Sequence, residues 1–342
     1  MTNRPTSFDI AQLAGVSQPT VSRALSGNKA VSETTRKRIE AIAAQLNYRV
    51  DKNASSLRKQ SSSTLALLFF EDPTPDDSLI NPFFLTMLGS ITRTCAANGY
   101  DLLISMQQLS NDWHTDYQDT HKADGIILLG YGDYEDYQER LAQLKKHQTC
   151  FVRWGAVEQD SAGYTLGSDN RGGGRMAAQH LHNIGRRNIA FLGNSSHHYP
   201  EFRERFQGFE EALLLCGISL NPQLQIDAIT TEESGYDAAC RLIAKGIFFD
   251  AIFAASDLIA IGAMRALKEK QINVPQEVAI IGFDNLPSAA MTNPSLTTIS
   301  QDAKGAGEAL VLSLLGQINK KTQQVITLPT KLMMRDSTNI LT

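Results

Sequence analysis

Beyond residue 63 the chain alternates short, continuous apolar runs with longer stretches whose apolar residues recur at helical spacing. The apolar runs predict strands at TLALLFF (64–70), DLLISM (101–106), GIILLG (125–130), TCFVRW (149–154), NIAFLG (188–193), AIFAA (251–255) and VAIIGF (278–283). The periodic stretches predict helices over Phe84–Asn98, Gly172–Ile184, Phe202–Cys216, Gly235–Lys245 and Leu258–Lys270. Strands that are apolar on both faces need cover on both faces, which is the pattern of a parallel, doubly wound α/β body. Seven or more such strands exceed one compact sheet, so two lobes are expected, with a ligand cleft at the strands' carboxyl ends.

The first sixty residues carry a different pattern. Ser7 is the expected cap of a helix over Phe8–Ala14, with Ile10, Leu13 and Ala14 on its inner side. Gly15 stops that helix, because glycine takes positive φ at low steric cost. Ser17 is the expected cap of a second helix, Gln18–Leu25, with Pro19 in its first turn, where no N–H partner is lost. A third helix is expected after Ser32, running to about Leu46 and turning Ile39, Ile42, Ala43 and Leu46 inward. Two short helices joined by a tight turn and closed by a third describe a helix-turn-helix unit. The second helix turns Val21, Ala24 and Leu25 inward and presents Gln18, Thr20, Ser22 and Arg23, whose amide and guanidinium suit base edges and whose hydroxyls suit phosphates. A three-helix interaction domain with a polar face is the alternative on spacing alone. In RVDKNASSLRKQ (49–60), Asp51 can cap one or two turns holding Ala54 and Leu57. A helix so short is marginal in water, and an inert linker is the other reading.

Charge sharpens this division. Residues 1–60 hold ten Lys or Arg against four acids, giving +6; the chain as a whole is −4, so the remainder carries −10. A basic head on an acidic body suits a polyanionic partner for the head alone. No apolar run approaches the roughly 20 residues of a membrane helix, and MTNRPTSFDIAQ lacks the apolar stretch of a secretory signal, so a cytoplasmic protein without a membrane partner is expected. Cys95, Cys150, Cys216 and Cys240 lie far apart without a CxxC pair, which reads as buried free thiols in a reducing compartment. Catalytic chemistry has little support. GGG at 172–174 is a helix start rather than a nucleotide loop, and His197-His198 lacks a third ligand at metal spacing. No GxSxG, HExxH or phosphate loop occurs, so no catalytic residue, cofactor or metal is expected.

DIAQLAGVSQPTVSRALSGNKAVSETTRKRIEAIAAQLNY (9–48) closely resembles the DNA-binding head of the lactose-repressor (LacI/GalR) family, most recognisably in AGVS, TVSR, VS-x-x-TR and LNY. The body resembles the same family in NPFF (81–84), ADGIIL (123–128), DNRGGGRMAAQHL (169–181), RFQGFEEAL (205–213), FAASDLIAIGAMRAL (253–267), VAIIGFDN (278–285) and NPSLTTISQD (293–302). The resemblance implies a helix-turn-helix head over 1–49, a hinge over 50–61, and a two-lobed body over 62–342 of the periplasmic-binding-protein type. One lobe would span about 62–166 and 302–326, the other about 167–301 and 327–342.

It also assigns roles. Gln18, Pro19 and Arg23 would read bases; Ser17, Thr20, Ser22, Ser32 and Tyr48 would seat the head on phosphates, with Thr6 also at the DNA. In the hinge, Asn53, Ala54 and Leu57 would enter the minor groove, with Leu57 as the wedge at the central base step; Val50 stands where proline is usual. In the cleft, Phe83 and Phe84 would stack on the effector or serve as core aromatics. Trp154 replaces a usual aspartate, Arg203 would clamp the effector, and Ser256, Asp257 and Asp284 would bind hydroxyls. Thr230 replaces a common aromatic. The function implied is a homodimeric repressor of a palindromic operator that answers to a mono- or disaccharide. Rival readings are a purine-responsive regulator of the same family and, on the same fold, a sugar-binding protein or an enzyme.

Overall fold

The computed structural model describes residues 5–28, 30–48, 61–70, 80–130, 134–157, 164–321 and 326–339. Two compact units divide at Ser62–Ser63. Among its described residues the first holds three helices: α1 (Ser7–Ala14), α2 (Gln18–Leu25) and α3 (Glu33–Gln45). Its core is small and built from small residues: Ile10, Ala11, Ala14, Val21, Ala24, Val31, Ile39 and Ala43, with Leu25, Ile42, Leu46 and Tyr48 packed against it.

Two local expectations fail for clear reasons. Thr6, not Ser7, caps α1: Asp9 accepts from the Thr6 backbone N–H at 2.6 Å while Thr6 Oγ1 accepts from Asp9 N–H, a reciprocal capping box. The Thr6 backbone N–H first, and then the Thr6 hydroxyl, both donating to Asp9 Oδ2, hold the Asp9 carboxyl below the usual aspartate range. Leu13 faces water, 63% exposed. At 100° per residue the inward stripe is Ile10, Ala11 and Ala14, and Leu13 falls on its flank. Gly15 ends α1 at φ 61°, as its position required.

Among the described residues the body contains two six-stranded sheets. The first is formed by β1 (Thr64–Phe69), β2 (Asp101–Met106), β3 (Gly125–Leu129), β4 (Phe151–Trp154), β5 (Thr165–Ser168) and β11 (Ile326–Leu328), in the order β11-β5-β4-β3-β1-β2. The second is formed by β6 (Ile189–Leu192), β7 (Gln225–Ile226), β8 (Ala251–Ala254), β9 (Ala279–Asp284), β10 (Thr297–Gln301) and β12 (Thr330–Met333), in the order β12-β10-β9-β8-β6-β7. Every pairing is parallel except β10 with β12. Helices α4 (Pro82–Ala97), α5 (Tyr134–Lys146) and α10 (Ala303–Ile318) accompany the first sheet; α6 (Asn170–Asn183), α7 (Pro200–Leu215), α8 (Glu232–Ala244) and α9 (Asp257–Glu269) accompany the second. The chain passes between sheets after Ser168, after Gln301 and after Leu328.

The sequence pattern missed α5, α10 and the strands β5, β7, β10, β11 and β12. β10 reads TTISQ, a run whose polar residues are buried because neighbours on both sides satisfy them. All four cysteines are free thiols, but only Cys95 is fully buried; burial pushes its thiol up to about 11. Among the described residues no helix is long and apolar enough to cross a membrane. Because the cap belongs to Thr6, Thr6→Ala should cost the head about 1 kcal/mol, read as faster hydrogen exchange at the Val21 and Ile39 amides of the full chain. Ser7→Ala, which leaves the capping box whole, should cost those amides less protection than Thr6→Ala.

Candidate nucleic-acid interface and ligand cleft

In the head, Pro19 and Arg23 lie one turn apart on the outer face of α2, both exposed, with Gln18 and Ser22 one turn apart beside them and half-buried. Arg23 makes no ion pair among the described residues. Gln18 Nε2 donates to Ser7 Oγ at 3.2 Å, tying the start of α2 to α1. Ser17 sits at the N-cap of α2, yet its side chain makes no cap bond; its hydroxyl meets Thr20 Oγ1 at 2.9 Å instead. Ser32 caps α3 through Thr35 N–H. The Tyr48 ring is half-buried against the core, and the Thr6 hydroxyl is committed to Asp9. Asn53, Ala54 and Leu57 lie outside the described residues.

In the body, Asn81 caps α4 by accepting from Phe83 N–H at 2.9 Å, which sets Phe83 and Phe84 at the mouth of the first sheet. Both rings are buried, edge to face at 5.4 Å, and Phe83 lies 6.3 Å from the buried Trp154 at the end of β4. The opposing lobe meets this aromatic floor directly. Asn81 Nδ2 donates to Thr230 Oγ1 at 3.0 Å, Thr230 donates on to Ser256 Oγ at 3.3 Å, and Ala156 N–H donates to Glu201 Oε1 at 3.1 Å. Leu286 packs into the core of the first lobe.

The charged centre is Asp284, at the end of β9 and 3% exposed. Its Oδ1 accepts from Gln301 Nε2 at 2.6 Å and lies 3.7 Å from Arg205 Nη1. Its Oδ2 has no hydrogen-bond partner among the described residues. Burial raises the Asp284 carboxyl to about 7, against the opposing pull of Arg205 and Gln301.

Arg205 was not foreseen. It is fully buried, donates to Asn170 Oδ1 at 2.9 Å and to Ala255 O at 2.5 Å, and lies 3.8 Å from the Phe283 ring centre. Glycines permit this seat: a Cβ on Gly174 would stand 2.0 Å from Arg205 O, and one on Gly208 would stand 1.9 Å from Arg171 O. The GGG run thus opens α6 and lets α7 approach backbone to backbone. Arg203, the expected clamp, is half-buried away from this cluster and meets His197 Nδ1 at 2.7 Å.

Asp257 is the second carboxylate expected to bind hydroxyls. Both its oxygens are taken, Oδ1 by Thr298 Oγ1 at 2.5 Å and Oδ2 by Leu286 N–H at 2.7 Å. Burial, then repulsion from Asp284, pushes its carboxyl well above the usual range. Ser256 is the N-cap of α9, accepting from Ile259 N–H. Among the described residues no group of three His, Cys, Asp or Glu could hold a metal.

Residues 8–51 match the bacterial regulatory proteins of the lacI family, and residues 178–338 match the periplasmic binding protein-like domain. The transcriptional regulator DegA of Bacillus subtilis is 30% identical over 346 residues, 99% of each chain. The chain belongs to the LacI family. LacI-family proteins are DNA-binding transcription regulators rather than enzymes, so the rival enzymatic reading falls. The ribose operon repressor of Escherichia coli K12 is 29% identical over 337 residues, 96% of this chain and 98% of that one. Among solved structures, a complex of the regulator CelR with cellobiose has a TM-score of 0.72 at 28% identity, covering 98% of this chain and 100% of that one. The Lac repressor dimer bound to operator and the anti-inducer ONPF has a TM-score of 0.83 at 24% identity, covering 98% and 99%, a likeness of fold.

Asp284 gives this LacI-family body a pH signature. Its carboxyl titrates near 7 when folded and near 3.8 otherwise, so the folded state binds the proton more tightly and stability falls as pH rises between those values. Glu204, raised to about 7 mainly by burial, acts with the same sign. The thermal midpoint should drop between about pH 4 and about pH 7, and Asp284→Asn should flatten part of that slope.

Proposed function

We propose that this LacI-family chain is a cytoplasmic, homodimeric repressor that binds a palindromic operator through its basic heads and answers to an uncharged sugar held in the body. The buried Oδ2 of Asp284, without a partner among the described residues, carries the effector half of this reading. A buried carboxylate oxygen without a donor is costly, and sugar hydroxyls are donors of the right kind. Phe83 and Trp154, both buried and 6.3 Å apart, would be the apolar rings that meet the C–H side of a sugar ring. Arg205 already faces Asp284, so the site is balanced for a neutral ligand rather than an anionic one. Thr230 is engaged with Asn81 and Ser256, which leaves no ring there to sandwich a purine. The ribose and cellobiose named for similar proteins fit the same class.

For the DNA half, Arg23 is the base-reading guanidinium and Pro19 contributes only van der Waals contact. A dimer with two heads needs two half-sites at matched spacing, hence the palindrome. An effector that prefers the non-DNA geometry of the body 100-fold supplies about 2.7 kcal/mol of coupling. In a selection from genomic fragments, the purified protein should recover palindromic sites, and sugars of the right class should release them. Arg23→Ala should lose about 1–3 kcal/mol of specific binding and leave the dimer and its sugar affinity intact. Recovery of no palindrome, with or without sugars, would remove the reading.

A further inference from the structure

The bend after β9 holds the least ordinary backbone of the cleft. Asp284 and Asn285 both take positive φ, 112° and 57°. Non-glycine residues keep such conformations only where their surroundings hold them. Here the hold comes from three directions. Asn285 donates its backbone N–H to Thr298 Oγ1 and its amide to Ser300 Oγ, both at 3.3 Å on β10. Asp257, at the start of α9, accepts from Leu286 N–H at 2.7 Å. Arg335, just beyond β12, donates from Nη2 to Asn285 Oδ1 at 2.6 Å and from Nη1 to Leu296 O at 2.7 Å. The Arg335 backbone is itself fixed, its N–H donating to Thr297 Oγ1 at 2.8 Å, and two residues on the Ser337 hydroxyl donates to Ile280 O at 2.6 Å.

We infer that Arg335 is a positioning residue for the Asp284 carboxylate. By gripping Asn285 and Leu296 at once, its guanidinium locks the left-handed bend that holds one Asp284 oxygen beside Arg205 and Gln301 and leaves the other for an effector. The planar fork is what makes two directed bonds to two different loops possible, and a lysine ammonium has no such fork. Arg335 touches no effector in this scheme; it acts through Asn285. The inference rests on Asp284 as the effector anchor, yet the geometry it concerns exists without any effector.

Titration of full-length protein carrying carbon-13 aspartate, with Asp284 assigned through Asp284→Asn, tests it directly. In wild type the Asp284 midpoint lies near 7 because the carboxyl is buried. In Arg335→Met the bend relaxes: water reaching the carboxyl lowers the midpoint and loss of the Arg205 and Gln301 contacts raises it, so the midpoint should leave its wild-type value by about half a pH unit or more. Asn285→Ala, which removes no charge, should shift it with the same sign and size. The double variant should shift it no further, since the two side chains act as one unit, and Arg335→Lys should not restore the wild-type midpoint. A merely structural role for Arg335 would lower the thermal midpoint while Asp284 titrates as in wild type in both single variants; that result overturns the inference. Failure of wild-type protein to bind D-ribose or cellobiose would count against the effector reading alone and would leave the titration result standing.

Discussion

Asp284 and Arg205 approach to 3.7 Å inside the body, both withdrawn from water. A buried ion pair holds only if its remaining hydrogen-bonding capacity is met. Arg205 meets its share through Asn170, Ala255 O and the Phe283 ring. The close crossing of α6 and α7 at Gly174 and Gly208 gives it a place to stand. Asp284 meets only half of its share, on the Gln301 and Arg205 side. The oxygen left over is a polar group that no described residue satisfies, at the strand end where ligands of this fold class bind.

The head poses the opposite problem. Its core is made of alanines, valines and isoleucines, so its helices pack closely and its stability leans on caps such as Thr6–Asp9 and Ser32–Thr35. What it presents outward is a short row of polar and cationic side chains on α2, on the part of the chain that carries the positive charge. Two kinds of electrostatics therefore divide the labour. Exposed cations suit a polyanion in the head, while in the body a buried, internally balanced pair would, on the function proposed above, leave hydrogen bonding for a neutral ligand.

Most of this architecture was legible in the sequence, because continuous apolar strands and helical periodicity are strong signals. The failures share a cause: they depend on which way a side chain points. Arg203 and Arg205 are both close to Gly208, but only Arg205 lies three residues before it, on the stripe with Phe202, Phe209 and Ala212 that turns inward along α7. Asp257 and Asp284 both follow apolar strands, yet one is consumed by Thr298 and Leu286 N–H and the other keeps an open oxygen. Ser7 and Thr6 are both good caps, and the Asp9 that answers Thr6 sits three positions after it, a spacing that could have decided the matter. The polar strand β10 is invisible to an apolar pattern because its Thr298, Ser300 and Gln301 side chains are spent on Asp257, Asn285 and Asp284.

The central claim is that the open oxygen of Asp284 anchors an uncharged sugar. Calorimetry of wild-type protein and Asp284→Asn against D-ribose, cellobiose and a sugar phosphate tests it most directly. The account predicts a neutral sugar that binds wild type and loses about tenfold or more in affinity to Asp284→Asn, with no preference for the phosphorylated ligand. A sugar that binds both proteins equally well, or an anionic ligand that binds best, would contradict it.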